Sequence, residues 1–586
     1  MSLLNSLQEE ELGGIMENYL VPVQFTKNTC IMHQGDLGEG CYIIDEGTVR
    51  LEVRNTETDT DGVIGFVEPI MFVGEFSLLD GKPREASAYA HTDVKARYFS
   101  KQKYDEICQK FPRIGLTIAT TMGANLIEKL RKANDQVAGY IFAGESDQDT
   151  NQMVERAQAV QKIFSSWPEE KVDALLVDIA EAISTNVEEL AAATVAETKM
   201  GIAADKVIKI RFASIEVCRT LTGHSAAGFM TDPEKNVVEI ACPVGVVLGL
   251  IPVTNPVSTI VFKTLISLKG RNSLILSCHR DALGVGKRTC DIIRSVLERH
   301  GAPADLVQPI LKRSSRQKTV MYMNHPGISL ILATGGSSMV KAAYSSGTPA
   351  IGVGSGNAPV LICSDADIAK AAKNIVMSKS FDNGVICGSE NNLVVVSSVR
   401  DEFIRQLEAS GAIILTADEK NRFTPQIFDA ESATLKKTIV GRSAAVIAEL
   451  ASIRRDKEFR LIVVPVRLDD LSGPYGHEKM APILSLFTVK DEEEGIRVCK
   501  QILNNQGRGH TAVIYIGKVE LMRRFGKEIE ASRILTNVPS AHGCVGIGSG
   551  LVPSFTLGCG TFGGTSTTDN VTYTHLLNIK RLSQNF

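Results

Sequence analysis

Beyond residue 240 the chain is built on seven compact apolar runs: VVLGLIPV, SLILS, ISLILATG, APVLIC, NLVVVS, RLIVVPV and AVIYI. Stretches of helical periodicity, such as VDALLVDIAEAISTNVEELAAATVAETKMG, accompany them. Strand and helix patterns in alternation point to a mainly parallel α/β sheet, or two of them. The N-terminal part reads differently. From Val21 to about Phe99, short β runs punctuated by glycine (TCIMHQGDLGEGCYIIDEGTVRLEV, GVIGFVEPIMFVGEF, ASAYAHTDVKARYF) predict an all-β roll. From Lys101 to about Asp135 the apolar spacing of Tyr104, Ile107, Phe111, Ile114, Leu116 and Ile118, then Met122, Leu126 and Leu130, predicts helices. GESDQDTNQ, residues 144–152, is polar and aperiodic and reads as a linker.

A chain of 586 residues exceeds what one hydrophobic core organises and calls for about three domains. With 44% apolar, 22% charged and 6% aromatic residues, disorder, collagen and coiled coil are excluded. The 63 basic and 67 acidic residues leave a net charge of -4, which offers no electrostatic case for a nucleic-acid partner. Twelve cysteines without a CxxC or zinc spacing suit free thiols in a reducing cytoplasm. The start MSLLNSLQEEELGG lacks the basic-then-apolar pattern of a secretory signal. Val238 to Phe262 carries Glu239, three prolines and Asn255, so it predicts a buried strand followed by a functional loop rather than a membrane span.

HQGDLGEGCYIIDEGTV (His33–Val49) followed by VGEFSLLDGKPREASAYA (Val73–Ala90) resembles the cyclic-nucleotide-binding domain, the second segment matching its phosphate-binding cassette. The resemblance implies that Arg84 grips a cyclic phosphate, Glu75 accepts from the ribose 2′-OH and Gly74 gives backbone access, with cyclic AMP or cyclic GMP as regulator. Glu85, where the family has a small residue, places a negative charge against that ligand unless it points away. The other reading of the roll is a docking or oligomerisation element without a ligand.

SFDNGVICGSE sets Cys387 among glycines and small residues, where a substrate can approach and a thiolate can attack. Five segments in order resemble the aldehyde dehydrogenase superfamily, and within it the acylating, coenzyme A-dependent branch: IPVTNP (Ile251–Pro256), ILATGGSSMVKAAYSSGTPAIGVGSGNAP (Ile331–Pro359), FDNGVICGSE (Phe381–Glu390), GHEKMAPIL (Gly476–Leu484) and PSFTLGCGTFGG (Pro553–Gly564). The resemblance implies a multidomain chain: a cyclic-nucleotide-binding-like β-roll with helices (1–140), a linker (141–152), then an α/β aldehyde dehydrogenase fold. Its parts are a Rossmann-type cofactor domain (153–361), a catalytic α/β domain (362–545), and a return to the cofactor domain ending in a β oligomerisation arm (546–586), with at least a dimer expected.

The same resemblance assigns the nucleophile to Cys387, the oxyanion donors to the Asn255 amide and the Cys387 backbone N–H, and the coenzyme A thiol proton to His510 in GRGHTA. It places NAD (NADP being possible) against Pro252, Thr254, Thr334, Gly335, Gly336, Ser337, Glu478 and Pro482, with Glu478 on the nicotinamide ribose. Strict GxGxxG is absent, and GVGSGN at Gly352–Asn357 reads as a strand leading to the catalytic domain. Hydrolytic members carry a glutamate base in the segment equivalent to IGVGSGNAPV, and Ile351–Val360 contains no carboxylate, so coenzyme A is the expected acyl acceptor. The substrate expected is a short aldehyde such as acetaldehyde, related enzymes taking sulfoacetaldehyde, succinate semialdehyde or propanal. The sequence ends at Phe586 without the iron-dependent alcohol dehydrogenase module of bifunctional members, so no metal site is expected. Two other readings stay open: a hydrolytic semialdehyde or aldehyde dehydrogenase, and a non-catalytic cyclic-nucleotide receptor on a dehydrogenase scaffold.

Overall fold

The computed structural model describes residues 19–584 apart from 56–59, 68, 70, 233–235, 312–315 and 430–431. The chain divides into two compact units, Met1–Gly144 and Glu145–Phe586. That division falls inside the helical stretch Pro112–Phe164, so the segment expected as a linker is helical. GESDQDTNQ has one glycine and no proline, and its polar side chains do not stop i→i−4 hydrogen bonding.

The first unit carries the expected roll: two four-stranded antiparallel sheets. One holds Val21–Phe25, Val94–Ser100, Gly40–Glu46 and Phe72–Val73; the other holds Cys30–Met32, Ser87–Ala90, Val49–Asn55 and Thr60–Val67. Ile44, Val49, Ala88, Ala90, Val94 and Ala96 are buried between the sheets, whereas Cys41, Ile43 and Phe99 face the other way and pack with Ile107, Ile118 and Met122 of the helices that follow. The expected helices follow as Lys101–Lys110, capped by the Ser100 side chain on Lys103 N–H, and Pro112–Phe164.

In the second unit five parallel strands stand in the order Val307–Pro309, Ser273–Cys278, Val246–Ile251, Leu330–Ala333, Ala350–Gly352. From Val246–Ile251 the chain winds outward on one side and then returns on the other. The carboxyl ends of Val246–Ile251 and Leu330–Ala333 therefore flank the point where strand order reverses, which is where open α/β sheets bind ligands. Val246–Ile251 and the following helix Pro256–Lys269 are buried along their whole length. Fully buried Ile260, Phe262, Leu265 and Ile266 contribute about 1.5–3 kcal/mol each and fix that helix under the sheet.

A second sheet of seven parallel strands runs Ala412–Ile414, Leu461–Pro465, Ile483–Val489, Glu390–Val396, Ala358–Ile362, Gly509–Tyr515, Ala531–Thr536. Ala358–Ile362 thus belongs to this sheet, and the changeover falls at Val353–Asn357 rather than at 361/362, because Val360, Leu361 and Ile362 pair with both Glu390–Val396 and Gly509–Tyr515. Leu577–Ser583 pairs antiparallel with Val237–Pro243, and Val571, Tyr573 and Leu576 return to the core of the five-stranded sheet. Among the described residues no helix is long and apolar enough to cross a membrane.

Candidate active site

The second unit holds a cavity of about 1240 Å³, its walls drawn from both parallel sheets. Pro252, Thr254 and Asn255 reach it from the loop after Val246–Ile251, and Thr334, Gly335 and Gly336 from the loop after Leu330–Ala333. Cys387 and Glu478 close it from the seven-stranded side.

Cys387 sits between the turn at Phe381–Gly384 and the strand Glu390–Val396, partly open to the cavity. Gly356 lies against it so tightly that a Cβ there would stand 1.6 Å from the Cys387 carbonyl oxygen. Burial pushes the Cys387 thiol up to about 12; the Glu478 carboxylate and Cys559 add to the rise, while Arg533 and the Gly388 N–H oppose it. The Cys387 thiol is therefore protonated at neutral pH in the free chain.

Asn255 occupies the N-cap of Pro256–Lys269, yet its side chain makes no cap hydrogen bond. Its Nδ2 donates to Val385 O at 2.9 Å and Thr254 Oγ1 at 3.3 Å, and its Oδ1 accepts from Lys209 Nζ at 2.8 Å. The amide thus faces the loop that carries Cys387. Glu478 receives the Gly356 N–H and donates its own N–H to Gln506 Oε1 at 2.7 Å; burial raises its carboxyl to about 7, against Lys379, the Gly356 N–H and Lys479.

At the other end of the cavity, Gly336 caps the helix Ser337–Tyr344 without a side-chain partner for its first N–H groups. The Thr334 hydroxyl is buried with no hydrogen-bond partner, and a Cβ on Gly335 or Gly336 would meet nothing closer than 3.9 Å. An unpartnered hydroxyl, open N–H groups and space against two glycines suit a pyrophosphate. Ser337 starts the helix, but its side chain lies outside the described residues; Ser338 lines the cavity.

Two expected residues are off the cavity wall. Pro482 is buried at the entrance to Ile483–Val489, its carbonyl accepting from Ile462 N–H. His510 is fully buried at the start of Gly509–Tyr515, with Nδ1 at 2.9 Å from Thr511 Oγ1 and no partner on Nε2. A Cβ on Gly388 would stand 3.5 Å from its ring, so it lies directly behind the Cys387 loop. Burial, and then Arg533, hold His510 well below its ordinary pKa, and it is neutral.

Sequence reasoning missed Lys206, Lys209 and Asp382. The helix Ala203–Arg211 presents both lysines on one face, and both reach Asp382 Oδ2, at 2.9 and 2.5 Å. The K-x-x-K spacing was the available signal, but pairing across 173 residues has none.

In the first unit Glu75 and Arg84 are buried and engaged internally. Arg84 Nη1 and Nη2 donate to Gly74 O and Gly40 O, each at 2.5 Å, and Glu75 Oε1 accepts from Lys129 Nζ at 2.5 Å. Gly74, at φ 83°, lets the guanidinium in, since a Cβ there would meet Nη1 at 2.3 Å. Glu85 is exposed.

Residues 119–574 match the model of the aldehyde dehydrogenase family, and residues 22–111 that of the cyclic nucleotide-binding domain. The bifunctional aldehyde-alcohol dehydrogenase of Escherichia coli K12 is 39% identical over 442 residues, covering 74% of this chain and 49% of the relative. The chain thus spans about half the length of such curated relatives. The crystal structure of an acetylating aldehyde dehydrogenase from Geobacillus thermoglucosidasius superposes with a TM-score of 0.73 at 38% identity, covering 75% of this chain and 97% of that one. A propionaldehyde dehydrogenase from Rhodopseudomonas palustris, solved with propionyl-CoA bound, has a TM-score of 0.69 at 26% identity and covers 74% and 94%.

Proposed function

The chain belongs to the aldehyde dehydrogenase family, and from that premise we propose that it oxidises a short aldehyde to an acyl-coenzyme A with NAD or NADP, through a thioester on Cys387. The observation that carries the reading is one cavity lined by Cys387, Asn255 and Glu478 with no carboxylate in Ile351–Val360. The crystal structure of the propionaldehyde dehydrogenase with propionyl-CoA supports the choice of coenzyme A.

Thr334, Gly335, Gly336 and Ser337 would hold the cofactor's pyrophosphate, Thr254 would line its path, and Glu478 would accept from its ribose. A bound nicotinamide supplies the hydride acceptor. Cys387 gives its proton to solvent in the open cavity as its sulfur attacks the aldehyde carbonyl. Asn255, releasing its 3.3 Å bond to Thr254 Oγ1, and the Cys387 N–H donate to the oxygen that becomes negative. After oxidation the acyl group sits on Cys387 sulfur until the coenzyme A thiolate displaces it. His510, neutral and with Nε2 free of protein partners, takes the thiol proton once the Gly388 loop in front of it moves aside. The substrate is a short aldehyde such as acetaldehyde, sulfoacetaldehyde being a second choice, and the antiparallel Leu577–Ser583 strand joins copies of the chain into at least a dimer in the cytoplasm.

A second reading has one observation in its favour: Glu478, raised to about 7 in the same cavity, is a carboxylate that can activate water. NADH absorbance with acetaldehyde, with and without coenzyme A, separates the two. Dependence on coenzyme A is expected, and equal rates of free-acid formation without it would favour hydrolysis.

The first unit supplies regulation by a cyclic nucleotide, its phosphate taken by Arg84 and its ribose by Glu75 once Gly40, Gly74 and Lys129 release them. Titration calorimetry of the full chain with cyclic AMP and cyclic GMP tests this, with Arg84→Ala expected to weaken binding by about 2 kcal/mol or more. Absence of heat with either nucleotide would leave the unit a docking domain.

A further inference from the structure

Asparagine at a helix N-cap ordinarily turns its side-chain oxygen onto the N–H groups of the first turn. Asn255 stands at that position before Pro256–Lys269 and does not do so. Its oxygen is held by Lys209 Nζ at 2.8 Å, and its nitrogen is thereby directed toward Val385 O at 2.9 Å, two residues before Cys387. An ammonium has only donors, so the amide atom beside it must be the oxygen. The reverse flip would set an N–H₂ against a buried cation.

Lys209 is in turn held from three sides. Its Nζ donates to Asp382 Oδ2 at 2.5 Å, to Asn255 Oδ1, and to Val385 O at 3.1 Å, which uses all three of its hydrogens. Its side chain is 4% exposed, and the same Asp382 oxygen also receives Lys206 Nζ at 2.9 Å. Asp382 Oδ1 accepts from Ile202 N–H at 2.7 Å, and its own N–H donates to Asp205 Oδ2 at 2.7 Å. Asp382 and Asn383 both adopt left-handed φ, 49° and 52°, a conformation that non-glycine residues hold only where surrounding contacts impose it. Lys209 thus joins the loop bearing Asn255 to the loop bearing the nucleophile.

We propose that Lys209 is the positioning residue that sets the Asn255 amide, with its N–H side toward the Cys387 loop where the oxyanion forms. The inference rests on the oxyanion role given to Asn255 above and adds to it a residue that acts only through that amide. Two effects compete in removing Lys209: loss of the amide's orientation, and loss of a charge from a buried cluster. Only the first disappears when Asn255 is already gone.

The test is a double-mutant cycle on the full chain with acetaldehyde, NAD and coenzyme A, reading kcat and KM separately. Asn255→Ala should lower kcat by roughly 10² to 10³. Lys209→Met should lower kcat by at least about 10-fold with KM for acetaldehyde little changed, since binding common to ground and transition states is untouched. The double variant should match Asn255→Ala alone. Lys209→Gln, which keeps a donor for Asn255 Oδ1 and drops the charge, should stay nearer wild type than Asn255→Ala, and it replaces the Met variant in the cycle if that one fails to fold. If the Lys209 loss instead multiplies in the Asn255→Ala background, Lys209 acts independently and the proposal falls. A wild-type kcat in Asn255→Ala would sink the oxyanion assignment itself, a different failure from an additive cycle.

Discussion

The Lys129 ammonium lies 2.5 Å from Glu75 Oε1, bringing a helix residue onto the carboxylate expected to meet a ribose hydroxyl. Lys129 also donates to Phe72 O at 2.8 Å, so it ties the helix to both ends of the Phe72–Glu75 segment. Glu75 is 1% exposed, and its second oxygen has no hydrogen-bond partner.

Removal of Lys129 leaves that carboxylate buried without its cation. Lys129→Met should therefore destabilise the first unit by about 3 kcal/mol, the lower end of the range for breaking a buried pair because the lysine is partly exposed. Hydrogen exchange at Phe72–Asp80 reads this, and unchanged protection there would mean the pair contributes nothing.

Cys387 should behave as a slow thiol in the free chain. With its pKa pushed up to about 12 by burial and Glu478, alkylation by iodoacetamide should rise about tenfold per pH unit from pH 7 to 9 without levelling off. A plateau below pH 8 would show a preformed thiolate. Cys387→Ala should abolish NADH formation while leaving thermal unfolding close to wild type, and turnover above a few per cent would exclude a thioester on this sulfur.

Glu478→Gln should change two readouts in known directions. Burial raises the folded carboxyl from an ordinary 4.5 to about 7, so between those values the folded chain binds more protons than the unfolded one, and stability falls as pH rises through that window. The glutamine variant should lose this part of the decline in denaturant-unfolding experiments across pH 4.5–7. Its Cys387 should also alkylate faster at a given pH, because the charge that raises the thiol is gone. Identical pH curves for variant and wild type would place Glu478 outside the electrostatics of the site.

His510→Ala should separate the two halves of the reaction. The first turnover of NADH should persist, whereas steady acyl-coenzyme A formation should drop by roughly 10²-fold, the lower range for loss of a general base. Equal losses in burst and steady state would make His510 a packing residue behind Gly388.

The parallel strands, the glycine-punctuated roll and the segment around Cys387 are legible in the sequence, because each is a local pattern: apolar runs between helices, β runs between turns, a cysteine among residues too small to block it. Asn255, Thr334 and Glu478 were legible for the same reason, each inside a short motif that the cavity then brings together. The helical course through 141–152 was not, since polar residues without a proline permit helix and linker alike and local composition cannot choose. Pro482 and His510 also sit in legible motifs, yet only the packing of Ile483–Val489 and Gly509–Tyr515 sets them behind the cavity wall. Which side chains pair in the interior follows from the packing of distant segments and is written in no local pattern. Lys209 with Asp382 and Asn255, and Lys129 with Glu75, are contacts between distant segments, and the charge of Glu478 acts on the distant Cys387 thiol. Their strength depends on the removal of water, which only the folded chain accomplishes, so charge, orientation and pKa at this site are properties of the packed interior rather than of any stretch of sequence.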